Sequence, residues 1–174
     1  MRRIVWTLVL FTATVSANSS EKRALLLPVQ AIFIHESMPA RPEAALGLQI
    51  ERGASMMIQS RGLRLTGASS ATITKPEPGL VQSLAAKHGV DLVYWVEATQ
   101  KELNYPRENS AQTAFCDDSE KDEPIRGSLS IKVRIFDAEG KEVWTASSTN
   151  DYRCSFPVTE AWDQTMRLLE KSPF

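Results

Sequence analysis

From Gly127 to Phe136 the chain reads GSLSIKVRIF, and its side chains alternate without a break. Leu129, Ile131, Val133 and Ile135 fall on one face, with Ser128, Ser130, Lys132 and Arg134 on the other. A period of two is the signature of a strand with one buried and one wet face, which an antiparallel sheet accommodates and a helix does not. DAEG follows, then KEVWTASS. Asp137 is suited to accept hydrogen bonds from the turn backbone and Gly140 to take a positive φ, so residues 127–149 predict a β-hairpin. Asp137, Gly140 and Trp144 are thereby given structural roles.

Any fold must pair that hairpin with something. Leu92 to Val96, LVYWV, is an apolar run without alternation, which predicts a central strand covered on both faces. Leu25 to Ile34 predicts a further strand, in which Pro28 suits an edge or an end, and Leu63 to Gly67 a short one. Between these, HESMPARP reads as a turn.

Three segments have helical spacing. In EAALGLQIERGASMMIQSRG, Leu46, Ile50, Ala54 and Met57 form a stripe that Ala45, Leu48 and Met56 widen, although Gly47 and Gly53 lower helix propensity by up to about 1 kcal/mol each. In GLVQSLAAKHG, Leu80, Val81, Leu84 and Ala85 make the apolar face, with Pro78 at the start and Gly89 at the end. The last, VTEAWDQTMRLLEK, puts Trp162, Met166 and Leu169 on one side. The expected fold is α+β: a five-stranded mixed sheet in the order β-α-β-α-β-β-β-α, its early strands parallel, with the helices mainly on one face.

The first 17 residues, MRRIVWTLVLFTATVSA, have the order of a secretory signal peptide, with a basic start, a short apolar core and small residues before Asn18. Position 18 is not the cysteine of a bacterial lipoprotein. The expected organisation is signal peptide 1–17, flexible tail 18–24 and one globular domain 25–174, periplasmic and without stable membrane insertion after cleavage. Loss of Arg2 and Arg3 leaves 18 basic against 21 acidic residues, a net charge of −3, which argues against nucleic acid as a partner. Cys116 and Cys154 form an even pair in an oxidising compartment, and a disulfide is the expected outcome; a redox pair would take CxxC spacing, and zinc would need further ligands.

No catalytic, metal or cofactor pattern emerges. CDDSEKDE lacks the glycine and spacing of an EF-hand, Ser19 to Lys22 matches SxxK without its companion motifs, and phosphate-binding loops are missing. His35 with Glu36 is the one candidate acid-base pair, while His88 is explained by its place in the last helical turn. Tyr94, Trp95, Trp144 and Trp162 suit a core, with Trp95 and Trp144 the better contact candidates.

Gly89, Asp91, Asp137, Gly140 and Trp144, in KHGVDLVYWVEA and IKVRIFDAEGKEVWTAS, give the chain a pattern. It resembles bacterial envelope domains such as the N-terminal domain of the Tol-Pal translocation protein TolB, the curli-secretion lipoprotein and the lipoprotein activators of penicillin-binding enzymes. The resemblance implies a non-catalytic module, with no cofactor, that docks on another envelope or outer-membrane protein. The connection 104–126 is the expected docking loop, with Tyr105, Arg107 and Phe115 as anchors and Asp117 to Glu123 steering a basic partner. Two alternatives remain open: a small exported hydrolase-like enzyme using His35, Glu36 or the acidic loop, and a periplasmic inhibitor or immunity protein whose loop plugs a cleft.

Overall fold

The computed structural model describes residues 21–66, 75–103, 127–152 and 158–174. The elements run β1 (Arg23–Leu26), β2 (Gln30–His35), β3 (Met38–Pro42), α1 (Ala44–Ser60), β4 (Arg64–Thr66), α2 (Pro78–His88), β5 (Leu92–Glu102), β6 (Gly127–Asp137), β7 (Glu142–Tyr152) and α3 (Val158–Glu170). The fold is a mixed α+β arrangement, as the alternating and unbroken apolar runs require.

Seven strands stand where the sequence predicts five, yet they fill five lateral positions. The expected strand Leu25 to Ile34 is two strands, β1 and β2, laid end to end along the same edge of β5 and both parallel to it. Leu26 pairs with Tyr94 and Gln30 with Glu97, so one surplus residue is absorbed at the break. Pro28 is the reason: it has no N–H to give the ladder, and the chain leaves β5 there before rejoining it. The next position is shared too, by β4 parallel to β1 and β3 antiparallel to β2. HESMPARP is thus corrected from turn to turn plus strand. An outer strand tolerates Pro39 and Pro42, because only half of its backbone groups face a neighbour.

β5 is central, as its unbroken apolar run predicts, with β1 and β2 on one side and β6 antiparallel along its whole length on the other. Leu92 to Val96 are all buried. β6 carries Leu129, Ile131, Val133 and Ile135 at 0% exposure on one face, and β7 closes the order as an antiparallel outer strand.

The helices divide between the faces. α1 and α3 cover one, joining Leu46, Ile50, Ala54, Ala161, Leu168 and Leu169 to the strands in the larger core. α2 lies on the other, where Val81, Leu84 and Ala85 meet Leu25, Leu27, Val93, Trp95 and Phe136. Exposure narrows the predicted helix stripes: Leu48 and Met56 on α1 and Leu80 on α2 face solvent. Gly53 allows the Trp162 indole of α3 to lie against α1, since a Cβ there would already touch the ring at 3.4 Å. Packing between helices thus supports the glycine that weakens α1 locally. No helix among the described residues is long and apolar enough to cross a membrane.

Candidate functional site

The hairpin turn is built as its residues predict. Asp137 accepts from the backbone N–H groups of Glu139 (3.1 Å) and Lys141 (2.9 Å), and Gly140 has φ +79°. Gly89 takes φ 60° at the C-cap of α2, and the Asp91 carboxylate accepts from the Arg23 N–H at 2.7 Å. Trp144 is half-buried against the larger core. These residues hold the sheet and helices in place.

The other end of the sheet differs. Glu102 pairs with both His35 and Gly127, and Gly127 pairs with Tyr152. The ends of β2, β5, β6 and β7 therefore lie side by side, and segments 104–126 and 153–157 both leave the sheet there. Tyr152, 5% exposed, donates its hydroxyl proton to the Lys101 carbonyl (3.2 Å) and accepts from Gln100 Nε2 (3.3 Å). A side chain at Gly127 would collide with that hydroxyl and carbonyl, so glycine is required for the phenol to reach across. Burial pushes the Tyr152 phenol above its usual pKa, partly offset by the Gln100 bond, and it remains a neutral donor. Gln100 Oε1 is buried without a partner among the described residues.

α3 is fastened beside this end. Gln164 donates from Nε2 to the Leu129 carbonyl (3.3 Å) and the Ser148 hydroxyl (2.9 Å), and Asn150 donates to Glu160 at 3.1 Å. Tyr152, Gln100, Gly127 and Gln164 escaped the sequence reading. The alternation of β6 reaches back to Gly127, whereas residues 147–151 of β7 are polar at every position and carry no such signal.

Of the predicted site residues, Tyr105, Arg107, Phe115, Cys116 and Cys154 lie outside the described residues. Trp95 is placed in the smaller core at 4% exposure, beneath α2 and with the Arg134 guanidinium 5.7 Å from its ring centre. A partner cannot reach it there, which corrects the expectation of a contact residue; its register beside Arg134 on the α2 face is the reason. Its indole N–H has no partner among the described residues.

His35 is the last residue of β2, where Ser37 of the following turn contacts its Nδ1 through both backbone N–H (3.2 Å) and hydroxyl (2.9 Å). The Phe33 ring stacks beside it at 6.4 Å, and Arg41 covers Phe33. His88 is half-buried, with Nε2 unpartnered among the described residues. No three His, Cys, Asp or Glu side chains converge on a metal-sized site among the described residues.

No family model matches the chain, and no curated protein matches it. Among solved structures, it is similar to the C-terminal domain of LpoB from Salmonella enterica, with a TM-score of 0.33 and 11% identity over 77% of this chain and 86% of that one. It is similar to the Escherichia coli LpoB C-terminal domain as well, with a TM-score of 0.34 and 13% identity over 78% and 88% of the two chains.

Proposed function

We propose that this chain is an exported, non-catalytic accessory protein of the bacterial cell envelope, which acts by binding another envelope protein. The observation that carries the reading is the locked end of the sheet, where paired strand ends root both 104–126 and 153–157. A loop on a rigid sheet presents side chains without the entropy cost of ordering its base, the usual arrangement of a recognition surface. Tyr105, Arg107 and Phe115 are the proposed anchors, of the types that dominate binding energy. The signal-like first 17 residues support export.

A photo-crosslinking amino acid introduced in turn at Tyr105, at Phe115 and at the exposed Lys132 of the open sheet face tests this in cells. One envelope protein, identified by mass spectrometry, should be captured from 105 and 115 and not from 132. Equal capture from all three, or none from 105 and 115, removes the docking loop.

A further inference from the structure

The two outer edges of the sheet are built differently. On the β2 side the outer position is shared by β3, five residues that include Pro39 and Pro42, and β4, three residues long. Short strands and prolines keep an edge from pairing with another chain. On the other side β7 runs for eleven residues, EVWTASSTNDY, with no Pro, Gly, Lys or Arg, and among the described residues it pairs with β6 alone. Alternate residues of β7 therefore turn both N–H and C=O away from β6. Such an edge recognises one class of ligand, an extended backbone.

The side chains of β7 select which backbone. The register shift against β6 lies at the turn end, between Ile135 and Phe136, and leaves β7 regularly paired from Trp144 to Tyr152. Its two acids stand outside residues 144–150: Glu142, paired with Arg134, comes before them and Asp151 after. The regular, uncharged stretch is thus WTASSTN, about 24 Å long, and its midpoint is Ser147. Laid antiparallel on itself about that midpoint, the stretch sets Thr145 opposite Thr149, Ala146 opposite Ser148, Trp144 opposite Asn150 and Ser147 opposite its own copy. Thr145, Ser147 and Thr149 are all exposed, on the face where hydroxyl pairing across strands is already present: Ser130 and Thr149, partners in register, hold their hydroxyls 2.8 Å apart. Neither acid meets an acid, since the same register places Asp151 opposite Val143 and Glu142 opposite Tyr152. The strand is complementary to itself, which is what a twofold interface requires.

We propose that β7 pairs antiparallel with β7 of a second copy of this chain, about a twofold axis at Ser147, joining the two sheets into one. The inference goes beyond the envelope reading and does not depend on it.

Sedimentation of the purified chain over a concentration series, with hydrogen exchange at each concentration, tests it. The mass should rise from one chain toward two, and alternate amides within 144–150 should exchange more slowly as it does, while those of β3 stay unchanged. Ser147→Glu puts a carboxylate beside Lys132, its partner on β6, which suits the single chain, but sets two carboxylates against each other across the axis. That variant should weaken the dimer by about fivefold or more. Mixing it with Ser147→Lys should restore pairing; if the lysine variant does not fold beside Lys132, Ser147→Glu and the exchange data decide. A single-chain mass at every concentration, a dimer indifferent to Ser147→Glu, or slowed exchange only outside 144–150 overturns the proposal. Capture of an envelope protein from Phe115 by a chain that never dimerises removes the edge pairing and leaves the docking loop standing; a dimer without that capture removes the loop and leaves the edge.

Discussion

Gly140 is fixed by two constraints at once. Its φ of +79° is open to glycine and costly for a branched residue, and a Cβ would run into the Pro78 carbonyl at the start of α2. The turn thus seats the hairpin against a helix remote in sequence. The first constraint is legible in DAEG; the second is not, because no local pattern reports which helix packs on a turn. Gly140→Val should destabilise the protein by more than about 2 kcal/mol, seen as a lower urea midpoint. Tyr94 gives a second test at this scale. It is 2% exposed, and burial pushes its phenol up to about 12, with Arg61 pulling weakly the other way. A pKa above the unfolded value means the native state keeps the proton longer, so stability is full below pH 10 and falls between pH 10 and 12. Urea midpoints across that range should fall less steeply in Tyr94→Phe; an identical slope would show that Tyr94 does not govern the alkaline loss.

The elements read most easily from sequence are those whose pattern reflects their own burial. The alternation of β6 and the unbroken run of β5 record how many faces of each strand are covered, and both placements follow. β3 was missed because its residues, Met38 to Pro42, are all exposed and carry no burial pattern. The limits of the α1 stripe were misjudged for a related reason: Leu48 and Met56 have the spacing of buried residues, but neither sheet nor α3 reaches that side. Arg61, at the C-cap of α1, had no local signal either. Its guanidinium donates to four carbonyls at the end of α3: Leu169 (3.2 Å), Glu170 (2.7 Å), Ser172 (2.8 Å) and Phe174 (3.2 Å). Leu169 and Glu170 belong to the last turn of α3 and Ser172 and Phe174 to the tail beyond it, so one planar fork ties the helix end and the tail together. Arg61→Ala should cost about 1–3 kcal/mol and speed amide exchange in the last turn of α3 ahead of the sheet. Arg61→Lys should recover little, since one ammonium cannot span four acceptors. Slowed or unchanged exchange there would mean that α3 is held by its apolar face alone.

At the scale of the molecule, the two ends of the sheet have different work. One is closed by the Asp137 to Lys141 turn and α2; the other gathers four strand ends and releases both cysteine-bearing segments. The sequence marks 104–126 as longer than most connections but cannot say which strand ends it joins side by side, since that depends on the register of β5, β6 and β7. With the register known, Cys154 follows Tyr152 by two residues, and Cys116 precedes Gly127, the strand partner of Tyr152, by eleven. A bridge between Cys116 and Cys154 would fasten the proposed docking loop close to the end of β7. Closing that loop of the chain restricts the unfolded ensemble, and reduction should therefore cost about 3–4 kcal/mol in the chain-entropy model. The unreduced protein, denatured and treated with a thiol reagent, should take up no label. Its urea midpoint should fall on reduction and match that of the Cys116→Ser/Cys154→Ser double variant. Two labelled thiols in the unreduced protein, or a midpoint indifferent to reductant, would leave the loop without its tether and return both cysteines to a reactive or metal-binding role.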